Sequence, residues 1–239
     1  MQIDVIMLIS GLSPQALQKR EETLRKQASP GTDINLVLTR NAPRSVESFA
    51  EMELAAPGIL ERVVMSENEG ADAVVIWGGH DPSVESSREL VDIPVLGPGG
   101  ASMYLASILA RKFVLMVQLP HVLGLAEKQV RDLGLTSRCV GVYSVGLPVL
   151  ELREPPAFEK VLSTAVKAVE DGADALCFGC MALNDHAEIL QEKVNNDYPG
   201  VLVIHPARAV IRVAEMLVNM NLSHSKRSYR KPPKEVRFP

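Results

Sequence analysis

Short apolar runs alternate with longer stretches in which apolar residues recur at helical spacing, from the first residues to about position 219. A continuous apolar run of four to seven residues suits a strand buried on both faces, and an amphipathic stretch suits a helix covering a sheet. The pattern predicts strands at 3–9, 34–39, 73–77, 94–96, 113–119, 139–144, 175–178 and 201–204. Helices are expected at 14–27, 46–69, 83–91, 101–111, 122–133, 158–170, 185–195 and 207–219. Ser13-Pro14 reads as an N-cap followed by proline at the first helical position. Strands alternating with helices define an α/β fold with parallel sheets. In such sheets ligands bind beyond the carboxyl ends of the strands, so the loops after the strands are where chemistry is sought.

The pattern also repeats. Glu69-Gly70-Ala71-Asp72-Ala73 leads into one expected strand and Asp171-Gly172-Ala173-Asp174-Ala175 into another, and superposing them sets Gly78 on Cys180 without a gap. Leu96-Gly97-Pro98 echoes Ile204-His205-Pro206, and Val5-Ile6-Met7-Leu8 echoes Val114-Leu115-Met116-Val117. The repeat predicts two pseudo-symmetric lobes, each a parallel sheet flanked by helices, made of residues 1–97 plus 206–239 and of residues 98–205. The active site is expected in a cleft between them, with the Gly78 and Cys180 loops facing each other.

Composition narrows the function classes. At 239 residues with a net charge of −4, the chain has no nucleic-acid footprint. No apolar run approaches the roughly 20 residues of a membrane span. The apolar opening carries Asp4 and no basic leader, so it reads as a buried strand, not a signal peptide. Three cysteines, an odd number, argue against a disulfide framework and for a reducing, cytoplasmic setting. Only the tail is basic: Lys226, Arg227, Arg230, Lys231, Lys234 and Arg237 interleave with Pro232, Pro233 and Pro239. It reads first as a solvated arm or a strap onto a neighbouring subunit of a homo-oligomer, and second as a phosphate or nucleic-acid contact.

Candidate chemistry centres on Cys180, where Cys177-Phe178-Gly179-Cys180-Met181-Ala182 ends a strand and opens a helix. Unpaired backbone N–H groups at a helix mouth favour a thiolate, which suits an acid, base or nucleophile. The competing reading is a small packed cysteine. Cys177 and Cys180 share redox spacing, but Cys177 falls inside an apolar run, and no second pair or suitably spaced histidine completes a zinc site. No metal is expected. The matching loop is Trp77-Gly78-Gly79-His80-Asp81-Pro82, where glycines admit close backbone approach and His80, partnered by Asp81, is the candidate second proton carrier. The alternative for His80 is a loop histidine bonded to backbone. His205 is expected near the cleft, and His186 in solvent or as a cap. Gly97-Pro98-Gly99-Gly100 lacks the lysine and spacing of a phosphate loop.

Taken together, these segments resemble the aspartate/glutamate racemase superfamily, most closely its hydantoin and allantoin racemase branch. The resemblance is carried by Gly70-Ala71-Asp72-Ala73, Asp81-Pro82, Arg88-Glu89-Leu90 with Ile93-Pro94-Val95, and Gly146-Leu147-Pro148-Val149-Leu150. It continues through Glu170–Ala175, Gly179-Cys180 and Leu222-Ser223-His224-Ser225-Lys226-Arg227. It implies a cofactor-independent isomerase or racemase, with a cysteine on each side of the α-carbon of a small carboxylate or cyclic ureide. Cys180 matches the second cysteine. The first falls at Gly78, a departure similar to the pattern of arylmalonate decarboxylases, in which a lone cysteine protonates an enediolate. A decarboxylase of a malonate-type acid is therefore the alternative, and a non-catalytic small-molecule-binding relative a third reading. Ser10, Gly11, Gly78, Gly79, Val117, Gln118, Gly179 and Met181 are the expected substrate contacts. Two departures from the family pattern fall among them, at Leu8–Ser13 and at Val117-Gln118.

Overall fold

The computed structural model describes residues 1–154, 156–234 and 236–238; Pro239 of the tail lies outside them. The chain forms two compact units by contact: Met1–Val46, Ala50–Pro98 and Val210–Pro239 make unit 1, and Glu47–Phe49 with Gly99–Ala209 make unit 2.

Unit 1 holds β1 (Gln2–Met7), α1 (Pro14–Gln27), β2 (Asp33–Leu38), α2 (Phe49–Asn68, entering from unit 2), β3 (Ala73–Ile76), α3 (Val84–Leu90) and β4 (Val95–Leu96). Its four strands are all parallel, in the order β2-β1-β3-β4. Ala55, Ile59 and Val63 recur every fourth residue of α2, so one face of that helix meets the sheet through Ile6, Leu8, Val74 and Ile76. Each such fully buried aliphatic side chain contributes about 1.5–3 kcal/mol of transfer free energy.

Unit 2 continues with α4 (Pro98–Leu109), β5 (Phe113–Val117), α5 (Leu123–Asp132), β6 (Cys139–Ser144), α6 (Ala157–Glu170), β7 (Ala175–Phe178), α7 (Ala187–Asp197) and β8 (Leu202–Val203). Helix α8 (Pro206–Asn219) starts in unit 2 and ends in unit 1. The second sheet is parallel in the order β6-β5-β7-β8, the topology of the first. Its core gathers Phe113, Leu115, Val117, Ala126, Val130, Cys177 and Ile204.

Strand register fixes the repeat and corrects one echo: Val5–Leu8 falls on Leu115–Gln118, one residue on from the Val114–Val117 expected from the sequence. Ile6 pairs with Ile76 in one sheet and Met116 with Phe178 in the other. Counting two residues on from each, Leu8 corresponds to Gln118 and Gly78 to Cys180. Val74 pairs with Val95 and Leu176 with Val203, so Gly97 corresponds to His205.

The corresponding edge positions are also closed alike, each by a side chain. In unit 2, Gln191 accepts the N–H of Val203 at 2.7 Å and donates to the carbonyl of Val201 at 2.8 Å. In unit 1 His224 Nε2 accepts the N–H of Val95. A covered edge cannot template pairing with another chain. The basic tail was expected as a solvated arm or as a strap onto a neighbouring subunit; Lys226, Tyr229 and Lys231, with His224 before them, lie along the edge of the chain's own first sheet. Lys226 Nζ donates to the carbonyls of Arg88 (2.8 Å) and Val91, capping α3 with positive charge where the dipole is negative. The Arg88 guanidinium lies 5.3 Å from the Tyr229 ring and donates to its hydroxyl, and Lys231 pairs with Asp92 at 2.6 Å.

Several boundaries differ from the sequence expectation. β1 and β5 stop at Met7 and Val117, two residues before the expected ends at 9 and 119: Leu8 is apolar for core packing and not for strand pairing, and the polar Gln118 ends the apolar run of β5. The helix expected at 185–195 is a 3₁₀ turn, Met181–His186, followed by α7. Two side chains fix that tight turn: Asn184 Oδ1 accepts the N–H of Ala207 at 3.2 Å, and His186 Nε2 donates to the carbonyl of Leu152 at 2.7 Å. His186, expected in solvent or as a cap, is therefore buried. Among the described residues no helix is long and apolar enough to cross a membrane.

Candidate active site

In unit 2 the central strands β5 and β7 deliver the candidate residues side by side. The N–H of Gly179 donates to the Met116 carbonyl at 2.8 Å, carrying the ladder one step past β7. A β-carbon built on Gly179 would stand 2.9 Å from Val117 Cγ1 and 3.2 Å from Leu115 Cγ, so only glycine lets the chain pass this close to β5. Cys180 follows in extended conformation and opens the 3₁₀ turn, with Met181 beside it and both buried. Register continued by two residues sets Gln118 against Cys180.

The thiol does not have the electrostatics that the sequence suggests. Burial dominates and pushes Cys180 up to about 11. The backbone N–H groups of Ala182 and Leu183 and the Arg153 guanidinium favour the thiolate, but together they do not offset desolvation, and Glu47 opposes them. Near neutral pH the resting group is a thiol, a proton donor. Cys177 is fully buried in β7, and burial raises its thiol as well; all three cysteines are free, so the C-x-x-C spacing makes no disulfide.

Gln118 is 1 % exposed, and its Oε1 is buried with no hydrogen-bond partner among the described residues. Its backbone carbonyl, by contrast, accepts the N–H groups of Gly146 (2.8 Å) and Leu147 (3.0 Å), which fold the loop after β6 over this strand end. An unsatisfied buried acceptor costs about 1–3 kcal/mol, so Gln118 Oε1 is a cost to the fold at this strand end. His205 caps the start of α8 by accepting the Arg208 N–H at 3.4 Å, and burial and the Arg208 charge hold its pKa below the ordinary histidine range.

Unit 1 presents the corresponding loop. The N–H of Gly78 turns back to the Ile76 carbonyl at 2.8 Å, and Asp81 N–H reaches the Gly78 carbonyl at 3.0 Å. Asp81 and Ser83 both lie in the left-handed region, with φ of 53° and 58°, a costly conformation for two non-glycine residues so close together. The Asp81 carboxylate fills the space left by the missing side chain of Gly97. Gly79 is buried, and both ring nitrogens of His80 are shielded from solvent.

Ser10 and Gly11 join a different part of unit 1. The Ser10 hydroxyl donates to the Ala42 carbonyl at 2.9 Å, and the backbone N–H groups of Ser10 and Gly11 bind the Pro43 and Arg44 carbonyls. Both thereby hold the 42–44 loop in place. Val117, Gln118, Gly179, Cys180 and Met181 come together at one strand end of unit 2, and Gly78, Gly79 and His80 in one loop of unit 1.

Three residues escaped the sequence reading. Arg153 and Glu47 act on Cys180 through their charges, although neither follows a strand. Glu47 belongs to unit 2, where its carboxylate accepts the Val149 N–H at 2.9 Å and its carbonyl accepts from His121 Nε2 at 2.9 Å. Leu8 is the third; only its place two residues past the Ile6–Ile76 pair could have singled it out. Among the described residues no three His, Cys, Asp or Glu side chains cluster as a metal site requires.

The family model of Asp/Glu/hydantoin racemases matches residues 13–214, and the chain belongs to that family. It is 33% identical over 221 residues to a hydantoin racemase of Pseudomonas sp. (strain NS671), covering 90% of this chain and 86% of that one. The structure resembles an allantoin racemase from Klebsiella pneumoniae with a TM-score of 0.90 and 30% identity, over 98% of this chain and 94% of the other. It resembles arylmalonate decarboxylase in fold alone, at 16% identity and a TM-score of 0.62 over 91% of this chain and 92% of that one. The protein is thus a racemase-type enzyme of two parallel α/β units.

Proposed function

We propose that this enzyme interconverts the enantiomers of a small cyclic ureide of the hydantoin type, without a cofactor, by proton transfer at the carbon next to a carbonyl. The observation that carries the reading is Cys180: a buried thiol, pushed above the ordinary cysteine range, at the end of a central strand, beside two backbone N–H groups and with the buried Gln118 amide oxygen, which has no partner among the described residues, at the facing strand end. A base removes the proton from the stereogenic carbon, and the C–H electron pair moves onto the adjacent carbonyl oxygen as an enolate. Cys180 then gives its proton to the opposite face, and the Ala182 and Leu183 N–H groups with Arg153 stabilise the thiolate left behind. His80 is the proposed group for the other face. Gln118 Oε1 accepts a ureide N–H, an interaction a carboxylate substrate has no proton to make.

One observation favours the decarboxylase alternative: unit 1 has glycine at the position corresponding to Cys180, and a lone thiol donor suffices to protonate an enediolate. The likeness to that enzyme is one of fold alone. Single enantiomers of 5-substituted hydantoins and of allantoin, and a set of arylmalonates, should be incubated with the protein while optical rotation and carbon dioxide are followed. Loss of rotation without gas supports racemisation of a ureide. Gas release from a malonate, with the ureides untouched, would replace this reading by the alternative.

A further inference from the structure

Unit 1 repeats the strand ends of unit 2 with both polar groups exchanged, Gly78 for Cys180 and Leu8 for Gln118. The two exchanges are physically linked. A β-carbon built on Gly78 would stand 2.6 Å from Leu8 Cδ2 and 2.8 Å from Pro82 Cδ. Both distances are far inside ordinary contact. Gly78 is not among the residues with positive φ, so its backbone does not demand glycine; the surrounding volume does. Pro82 is a closed ring that cannot swing aside, whereas the end of Leu8 is the movable part. Leu8 is itself 3 % exposed and packs in the core with Ile6, Ile59 and Val84.

From this we infer that Leu8 is a specificity-determining residue: its isobutyl group occupies the volume that a side chain at position 78 would need. Unit 1 is thereby barred from presenting a thiol at the position corresponding to Cys180. Position 78 is then no source of a proton for the second face. The inference rests on Cys180 being the proton donor of unit 2. It makes Leu8 and Gly78 a coupled pair: changing glycine alone creates strain against both Leu8 and Pro82, and changing both removes the nearer of the two clashes while the Pro82 ring, at 2.8 Å, still has to give.

The test uses the full-length protein with Gly78→Cys, Leu8→Ala and the double variant, and Leu8→Val as a milder partner should Leu8→Ala fold poorly. Gly78→Cys alone should lower Tm by about 3 °C or more, as overpacking does. The double variant should lose at least about 2 °C less than the sum of the two single losses. In D₂O, the enantiomer that wild type deuterates more slowly should exchange at least about tenfold faster in the double variant than in Gly78→Cys. Additive Tm losses, or exchange rates that Leu8→Ala leaves unchanged, would overturn the proposal. Failure of the underlying reading would show separately, as activity surviving Cys180→Ala, while the Tm coupling is read without reference to activity.

Discussion

His224 Nε2 accepts the backbone N–H of Val95 at 2.8 Å, so a side chain from the last part of the chain completes the edge of the first sheet. Burial, then the Arg88 charge, pulls His224 to about 4, and Lys226 adds to the effect. The nearby Tyr229 ring meets the imidazole edge-on at 5.8 Å. A neutral imidazole is therefore part of the fold.

The folded-state pKa lies below the ordinary histidine value, so this contribution is complete above about pH 6.5 and is lost as pH falls toward 4. Discounted for partial exposure, the loss should be on the order of 1 kcal/mol, or roughly 2–4 °C in Tm. Thermal denaturation between pH 7 and pH 4 should show it, and His224→Gln, which keeps an acceptor that does not titrate, should flatten that part of the profile. An equally steep profile in the variant would remove His224 from the account.

The strap as a whole should matter more than any one of its contacts. Truncation after Asn221 removes the Lys226 cap of α3, the Arg88–Tyr229 stack and the Val95 acceptor together, and should lower Tm by several degrees. Tyr229→Ala alone should cost about 1 kcal/mol, measurable as a shift of the urea midpoint.

Much of this architecture was legible in the sequence. Continuous apolar runs located the central strands β1, β3, β5 and β7, since strands buried on both faces need hydrocarbon throughout. The repeated Gly-Ala-Asp-Ala segments aligned Gly78 with Cys180 before register did. What stayed hidden depends on three-dimensional volume and field. The apolar pattern cannot separate Leu8 packing against Gly78 from Leu8 extending a strand. The helix-mouth argument favoured a thiolate because it counted N–H groups and had no measure of burial, which wins at Cys180. The tail's charges suggested a partner beyond the chain because a sequence does not show that Arg88, Val91, Val95 and Asp92 lie beneath it.

Gln118 separates stability from function. Gln118→Leu copies the corresponding residue of unit 1 and removes a buried, unsatisfied oxygen, so Tm should hold or rise by up to a few degrees. If that oxygen receives a ureide N–H, kcat/KM should fall at least about tenfold in the same protein. A Tm loss with unchanged kinetics would make the residue purely structural.

His80 bears on the second face. His80→Asn keeps a polar side chain that cannot carry a proton, and should slow racemisation at least about a hundredfold, the lower range for acid–base catalysis. A small effect, with product emerging as one enantiomer from a prochiral acid, would favour the single-donor alternative.

The central claim is that Cys180 is the proton donor, and one comparison tests it most directly. A single hydantoin enantiomer in D₂O is followed by NMR with wild type and with Cys180→Ala, after circular dichroism has shown both to be folded. Wild type should place deuterium on the stereogenic carbon as optical rotation decays, and Cys180→Ala should lose product racemisation by at least about a hundredfold while keeping its fold, because a small side chain at a strand end costs little stability. A folded Cys180→Ala protein that still racemises at the wild-type rate would contradict the account.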